Sequence, residues 1–314
     1  MKKSILVTGG AGYIGSAAVK LLVSKGYRVV GVDNLSKGIR KLVDKKASFY
    51  KLDLSEKDSL DIVFKKHKID AVMHFAAYKA VGESMANAVK YSDNITGTVN
   101  LLNAMVKYKV GKIIYSSSAA VYSERNSGIV KEEKATGPAS YYGFTKLLGE
   151  QLIEWYSKIH GIKYVSFRYF NVAGDAGLNY IDPAPENVMP ALMESITSKR
   201  KFVIFGSDYP TRDGTCIRDY IDINDLVNAH VLALKSDENV VLNLGTSKGI
   251  TVKELVQQAI DVTGKRFPYS VGRRRKGDVP MLVASYKKAN KILGWKPTID
   301  TRGMIHSTYR VYTK

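Results

Sequence analysis

Ser118, Tyr142 and Lys146 are the residues whose types and spacing allow them to do chemistry together. Tyr142 and Lys146 stand four apart at the start of a stretch that reads as a helix to about His160, so both side chains point the same way. Ile113-Ile114-Tyr115 reads as a strand that runs into Ser116-Ser117-Ser118-Ala119, which puts hydroxyls at a strand end. A serine held against an alcohol, with a phenolate to take the alcohol proton, is the apparatus for turning an alcohol into a ketone, provided something nearby accepts a hydride. The spacing alone proves little, because Tyr108 and Lys112 share it at a helix end with no serine strand before them. A serine cluster after a strand is also commonly just a turn.

The stretch Ile5 to Gly15 supplies the missing acceptor. An apolar run short enough for one buried strand breaks into glycines at 9, 12 and 15, and Ser16 to Leu22 reads as a helix. Unpaired N–H groups at such a helix start, with the positive end of the dipole, favour a pyrophosphate. A plain strand-to-helix turn would also fit a glycine trio. The next strand, Arg28 to Val32, decides between them, because it delivers Asp33 where a carboxylate can accept from both ribose hydroxyls of adenosine. The expected cofactor is a nicotinamide dinucleotide, NAD and not NADP, since Asp33 would repel a 2′-phosphate and no arginine follows it directly. A nicotinamide cation and the Lys146 ammonium would together favour the Tyr142 phenolate; lowering a phenol by ~3 pKa units takes ~4 kcal/mol.

Strands and helices must alternate to hold these groups, and they do. Ala47 to Leu54 reads as a strand ending in Asp53, and Ser55-Glu56-Lys57-Asp58 as a capping box. Asp53 is equally well read as an adenine contact or as an acid at a strand-to-helix turn. Asp70 to Phe75 reads as a buried strand, and Ala76, Ala77 and Lys79 follow at the carboxyl edge, where open parallel sheets bind ligands. A long helical pattern covers Ala88 to Tyr108 with Asn94 inside it, and Lys112 to Ser116 is the next strand. The expected fold is α/β: a doubly wound, Rossmann-type parallel sheet with right-handed crossovers, and a smaller C-terminal α/β substrate domain. Beyond Ser166 the pattern loosens, with prolines at 183, 185 and 190. Asp222 to Lys235 reads as a helix, and Val240 to Leu244 as a strand returning to the large sheet. Thr251 to Glu254 has the form of a second capping box, and Trp295 reads as small-domain packing. The expected division is therefore 1–170 with about 219–245 returning, against 171–218 with 246–314.

At 314 residues the chain can bury a large core, and 45% hydrophobic with 25% charged residues is ordinary for a folded protein. The net charge of +19 invites a nucleic-acid reading. The lysines are scattered through every predicted helix, however, and the only dense run is Arg273-Arg274-Arg275-Lys276, which a compact, strongly anionic substrate explains as well. A genomic bias towards lysine and tyrosine is the plainer explanation of the rest, and no nucleic-acid partner is expected. Cys216 stands alone, so no intrachain disulfide is possible and a reducing, cytoplasmic setting is expected. The apolar run after Met1-Lys2-Lys3 stops at Thr8, too short for a signal peptide, and no segment reads as membrane-spanning.

With those residues in place, the chain resembles the extended short-chain dehydrogenases/reductases, and most closely the UDP-glucose (UDP-galactose) 4-epimerases. The resemblance runs nearly from end to end: Thr8 to Gly15, Asp33-Asn34, His74 to Ala77, Lys79 to Ser84, Ser116 to Tyr122, Tyr142 to Lys146, Arg168 to Asn171, Arg218 to Ile221 and Gly277-Asp278. The Lys79 to Ser84 block, with Asn94 after it, is more specific to epimerases than the glycine loop. The resemblance implies that Gly9, Gly12, Tyr13, Ile14, Gly15, Asp33, Asn34, Asp53, Leu54, Phe75, Ala76, Ala77, Lys79, Asn94 and Tyr169 contact NAD, together with Tyr142 and Lys146. It makes Ser118, Tyr142 and Lys146 the catalytic set and implies no metal. Asn171, Asn187, Arg218, Arg275 and Asp278 match positions that hold the UDP part of the substrate, and planar guanidinium forks suit diphosphate oxygens. Arg273 and Arg274 read better as solubilising charge. Leu282 matches a position beside the sugar ring, where a tyrosine excludes an N-acetyl group and a small residue admits it; plain packing is an even alternative.

Relatives also pair through two long helices, which implies a homodimer through Ala88 to Tyr108 and Tyr142 to His160. Two departures stand out: the segment between Asn171 and Asn187 is short for the family, and Asp222 replaces a histidine often seen after Arg-Asp-Tyr-Ile. A 4,6-dehydratase would need an acid pair where Ala119 and Ala120 stand, and a non-catalytic NAD sensor would not need the intact Ser118, Tyr142 and Lys146.

Overall fold

A computed structural model describes residues 2–182, 187–198, 200–275 and 277–314. The elements of its first part are β1 (Ser4–Thr8), α1 (Tyr13–Ser24), β2 (Arg28–Asp33), β3 (Ser48–Lys51), α2 (Asp61–Lys66), β4 (Ala71–His74), α3 (Val81–Ala86), α4 (Ala88–Lys107) and β5 (Lys112–Ser118). Then come β6 (Gly128–Val130), α5 (Tyr141–His160), β7 (Lys163–Tyr169), β8 (Asn171–Ala173), α6 (Val188–Ser198), β9 (Phe202–Phe205), β10 (Ile217–Arg218) and β11 (Tyr220–Asp222). The last are α7 (Ile223–Ala233), β12 (Val240–Leu244), β13 (Ile250–Thr251), α8 (Val252–Thr263), β14 (Tyr269–Gly272), β15 (Met281–Ala284), α9 (Lys287–Leu293) and α10 (Thr301–Tyr312).

The chain divides into two compact units. The first comprises Met1–Tyr122, Thr136–Arg168 and Val227–Leu242. Its centre is a seven-stranded sheet in the order β12-β7-β5-β4-β1-β2-β3. β1 pairs in parallel with β2 on one side and β4 on the other. The chain thus reverses its direction of winding beside β1, the switch point at which such sheets bind ligands. Every residue of β1 and β4 is buried, which is why both read as unbroken apolar runs rather than alternating ones. Leu6, Val72, Leu101, Leu102, Met105, Ile113 and Ile153 form the centre of the core. The helix α5 lies close on β5 because residue 149 is glycine: a Cβ there would fall 2.7 Å from Tyr115 Cζ.

The second unit comprises Ser123–Ala135, Tyr169–Leu226 and Asn243–Lys314. It contains a four-stranded sheet, β13-β10-β15-β6, and the parallel pairs β11-β8 and β14-β9. Its core gathers Leu192, Met193, Ile204, Leu255, Met304 and Ile305. The expected capping box at Thr251 is present: Thr251 Oγ1 accepts from Glu254 N at 3.0 Å, and Glu254 Oε2 accepts from Thr251 N at 2.9 Å. Trp295 is buried and donates through Nε1 to Asp225 O at 2.9 Å.

The capping box expected at Ser55 to Asp58 is not formed. Asp53 Oδ1 takes both the Ser55 N–H and its hydroxyl, closing a turn, and Asp58 adopts φ 60°, so the helix is deferred to Asp61. The same turn shortens the expected 47–54 strand to Ser48–Lys51. The first helix starts earlier than expected, at Tyr13, because Gly12 already serves as its N-cap.

Candidate active site

At the end of β1, Gly9 takes φ 69°, and a Cβ on it would lie 2.7 Å from Ala76 N, so only glycine lets the loop lie against the chain leaving β4. Gly12 caps α1 with no side-chain hydrogen bond, and the first turn carries no acid. The N–H groups of Tyr13, Ile14 and Gly15 head that helix, as a pyrophosphate requires. Asp33 ends β2 and is buried; its Oδ2 accepts from Ala11 N at 3.0 Å and its Oδ1 from Leu35 N at 2.8 Å. Burial pushes this carboxyl up while those two N–H groups pull it down, and burial wins. Each oxygen keeps a lone pair for a ribose hydroxyl. Asn34 Nδ2 donates to Asp53 Oδ2 at 2.8 Å, joining the ends of β2 and β3. Burial of Asp53 opposes the hydrogen bonds from Asn34 and Ser55, which prevail and hold its carboxyl below the usual range. Leu54 is buried, Phe75 packs on His230 with ring centroids 4.9 Å apart, Ala77 is half-buried and Lys79 exposed.

Two buried side chains fasten this edge. His74 joins Thr8 Oγ1 through Nδ1 at 2.7 Å and Thr98 Oγ1 through Nε2 at 3.1 Å, and burial, then the nearby Lys146 charge, pushes it down to about 3, so it is neutral. Asn94 accepts from Tyr78 N at 2.8 Å and donates to Tyr78 O at 3.0 Å and Thr145 Oγ1 at 3.2 Å. It thereby ties the segment that bears Lys79 to α4 and α5.

The hydroxyl set lies at the same carboxyl edge. Ser118 ends β5, and its Oγ accepts from Ala120 N at 3.1 Å, while its hydroxyl faces the Tyr142 phenol. Tyr142 stands in the first turn of α5, which Ser140 caps by accepting from Gly143 N at 3.1 Å. Lys146, one turn on, is buried; its Nζ donates to Ser116 O at 2.8 Å and lies 6.0 Å from the Tyr142 ring centroid. Burial pushes the Tyr142 phenol up, with the Ser118 hydroxyl opposing. Burial likewise pushes the Lys146 ammonium down, to about 7, with Glu150 opposing; the expected lowering of the phenol belongs to Lys146 and a bound nicotinamide cation acting together. Tyr108 and Lys112, which share the spacing, are not brought together: Lys112 Nζ donates to Leu234 O at 3.1 Å, while Tyr108 stacks on Phe64.

In the second unit Arg218 Nη2 pairs with Asp278 Oδ1 at 3.1 Å, and Nη1 donates to Val279 O at 2.8 Å. The Arg275 guanidinium lies 4.0 Å over the Phe205 ring. Leu282 pairs in register with Arg218, so the two share a face of the sheet. Asn171 donates through Nδ2 to Asp219 O at 2.9 Å, Asn187 leads into α6, and Tyr169 is buried at the end of β7. Arg274 is more than the solubilising charge expected of it: it donates through Nε to Asp208 Oδ1 at 2.7 Å and covers the Tyr209 ring at 4.2 Å. Lys276 and residues 183–186 lie outside the described residues.

The family described as the NAD dependent epimerase/dehydratase family matches residues 5–245. The chain belongs to that family. Among its relatives, the UDP-glucose 4-epimerase of Lactobacillus helveticus is 45% identical over 302 residues, 93% of this chain and 92% of that one. The structure of the Bifidobacterium longum UDP-glucose 4-epimerase in complex with NAD+ and UDP is 35% identical, with a TM-score of 0.92 over 99% of this chain and 98% of that one. The UDP-Glc/GlcNAc 4-epimerase of Campylobacter jejuni is 33% identical, with a TM-score of 0.88 over 99% of each chain.

The glycine cradle and the uncapped start of α1 fit the dinucleotide that gives this epimerase/dehydratase family its name. Sequence reasoning passed over Glu150, Thr145 and the buried His74 pair, although Glu150 continues the four-residue spacing of Tyr142 and Lys146. Asp222, at the position often held by histidine, is buried and accepts from Asn224 N at 2.7 Å and Asn224 Nδ2 at 2.9 Å, and burial pushes it up to about 6.

Proposed function

We propose that this chain interconverts UDP-glucose and UDP-galactose by inverting C4 of the hexose. The observation that carries the proposal is the convergence of Ser118, Tyr142 and Lys146 on the sheet edge that bears the glycine loop and Asp33. Bound NAD would supply the oxidant and then the reductant for C4, with no net redox, and a positive charge near the phenol. Tyr142 takes the C4 hydroxyl proton at Oη and returns it after the sugar has turned. Ser118 turns its hydroxyl from the Tyr142 phenol to the sugar oxygen, and Lys146 favours the phenolate while its Nζ is held by Ser116 O. Asn171, Asn187, Arg218, Arg275 and Asp278 hold the UDP, so the nucleotide stays put while the sugar rotates. Purified protein mixed with UDP-galactose and no added cofactor should yield UDP-glucose by NMR, and denatured protein should release NAD or NADH. Absence of conversion even with NAD added, or release of mainly NADP(H), overturns the reading.

Selectivity between sugars rests on Leu282. Its place beside Arg218 supports a position near the bound nucleotide sugar, and leucine leaves room that tyrosine would fill. Contact with an acetyl methyl adds at most ~0.8 kcal/mol. The Campylobacter jejuni relative bears the name of an enzyme for both sugar pairs. The expected behaviour is turnover of UDP-glucose/galactose and, more slowly, of the N-acetylamino pair, with Leu282→Tyr suppressing the second. Measuring kcat/KM for both pairs decides; an unchanged ratio in Leu282→Tyr removes the gate.

The assembly proposed is a homodimer through α4 and α5. Val89 on α4 is 85% exposed, and Trp155 and Ile159 on α5 are 60% and 67% exposed, so both helices leave large apolar side chains uncovered that a partner could bury. Light scattering should give twice the 34.7 kDa monomer mass at micromolar concentration, and the monomer mass there would contradict it. The lone, buried Cys216 suits the proposed cytoplasmic setting. Among the described residues no helix is long and apolar enough to cross a membrane.

A further inference from the structure

Glu150 extends the catalytic face of α5 by one more turn, and nothing in the reaction above uses it. Tyr142, Lys146 and Glu150 recur at four-residue intervals, so all three face the same side of the helix. The Glu150 side chain is only 6% exposed. Its Oε1 accepts from Arg168 Nε at 2.9 Å and from the Ser117 hydroxyl, and its Oε2 accepts from Arg168 Nη2 at 2.7 Å. Arg168, on β7, is equally buried and lies 4.8 Å over the Tyr122 ring. Ser117 stands between Ser116, whose carbonyl receives Lys146 Nζ, and Ser118. One carboxylate therefore joins α5, β5 and β7 immediately behind the catalytic side chains. A buried ion pair of this kind is weak evidence for stability, because desolvation offsets most of its attraction.

We propose that Glu150 is a positioning residue for the reaction, its carboxylate keeping Lys146 charged and in register with Ser118 and Tyr142. This rests on the reading that Tyr142 is the base and Lys146 its tuning cation. The ionisable groups facing Lys146 are Tyr142 and Glu150 from α5, Tyr115 from β5, His74 from β4 and, through Glu150, Arg168 from β7. His74 is neutral, so Glu150 is the one anion among them. Burial pushes Lys146 down and Glu150 opposes it, leaving the lysine at about 7, where the charge of its neighbours weighs on its protonation at neutral pH.

The test uses two variants whose effects have opposite sign. In Glu150→Gln the shape and the acceptor for Ser117 remain but the charge goes, and the Arg168 cation is left unbalanced. The basic limb of the kcat–pH profile should move down by about one unit or more, and kcat at pH 7 should fall at least about fivefold, with KM for UDP-galactose little changed. Arg168→Gln leaves the carboxylate without its counter-ion, and the same limb should move up. A merely structural role predicts loss of activity in both variants with the limb unmoved. That outcome, or shifts in the same direction, overturns the proposal. Each shift is diagnostic alone, so failure of one variant to fold leaves the other to decide. Tyr142→Phe made in parallel separates the two levels. If that variant keeps its turnover, the reading of the base fails; if it loses turnover while the limb stays fixed, only the role of Glu150 fails.

Discussion

Tyr142→Phe should cut turnover of UDP-galactose by at least ~100-fold while UDP binding survives. The substitution keeps the ring in the first turn of α5, where Ser140 caps the helix and Thr145 Oγ1 donates to Tyr142 O at 2.8 Å, so the fold has no reason to change. What disappears is the one oxygen that can receive the C4 proton beside Ser118. Lys146 cannot replace it, since its Nζ is directed at Ser116 O. The nucleotide contacts assigned to Arg218, Arg275 and Asp278 belong to other elements and should persist. Tyr108→Phe is the matched control, because its ring stacks on Phe64 at 5.2 Å and its partner in sequence spacing, Lys112, is bound elsewhere. Steady-state rates and UDP titration of the two variants check the expectation. Equal losses from both would mean that the chemistry has been placed on the wrong pair.

That control also shows why parts of the site were legible in sequence and parts were not. Tyr142 and Lys146 could be read because α5 is a regular helix, and four residues along a helix means one face. The strands β1 and β4 could be read because each is buried on both sides. The turn at Ser55 was misread because a capping box and an aspartate turn use the same residue types, and the choice lay with Asp53, which Asn34 braces from another strand. The burial that brings Lys146 to about 7 has no local signature, since it depends on what β5 and β7 place around the lysine. Glu150 is intermediate: its spacing is visible, but its meaning appears only when Arg168 and Ser117 meet it. Arg274 reads as surface charge in the sequence, which does not show that Asp208 and Tyr209 await it.

Gly15→Ala should remove bound NAD more effectively than any change of a cofactor-facing side chain. A Cβ at residue 15 would fall well inside contact distance of the Gly9 carbonyl oxygen, 2.7 Å from Gly9 C and 3.1 Å from Gly10 Cα. All three obstacles are backbone, so no side chain can swing away. Gly9 cannot retreat either, because it already lies against Ala76 and Phe75 at the end of β4. The remaining adjustment is for the start of α1 to move off the loop, and that start carries the N–H groups offered to the pyrophosphate. Overpacking of this kind costs about 1–3 kcal/mol, which against binding is about a 5- to 150-fold loss of affinity. The variant should therefore be purified with little NAD, turn over poorly, and recover in part when NAD is added in excess. Gly111→Ala, where a Cβ would meet nothing within 4 Å, should keep both its NAD and its rate. Cofactor released on denaturation, measured beside turnover with and without added NAD, distinguishes the cases. If Gly15→Ala retains NAD as the parent does, the loop closes by some route other than the contact of Gly15 with Gly9, and the cradle assigned to the pyrophosphate is wrong.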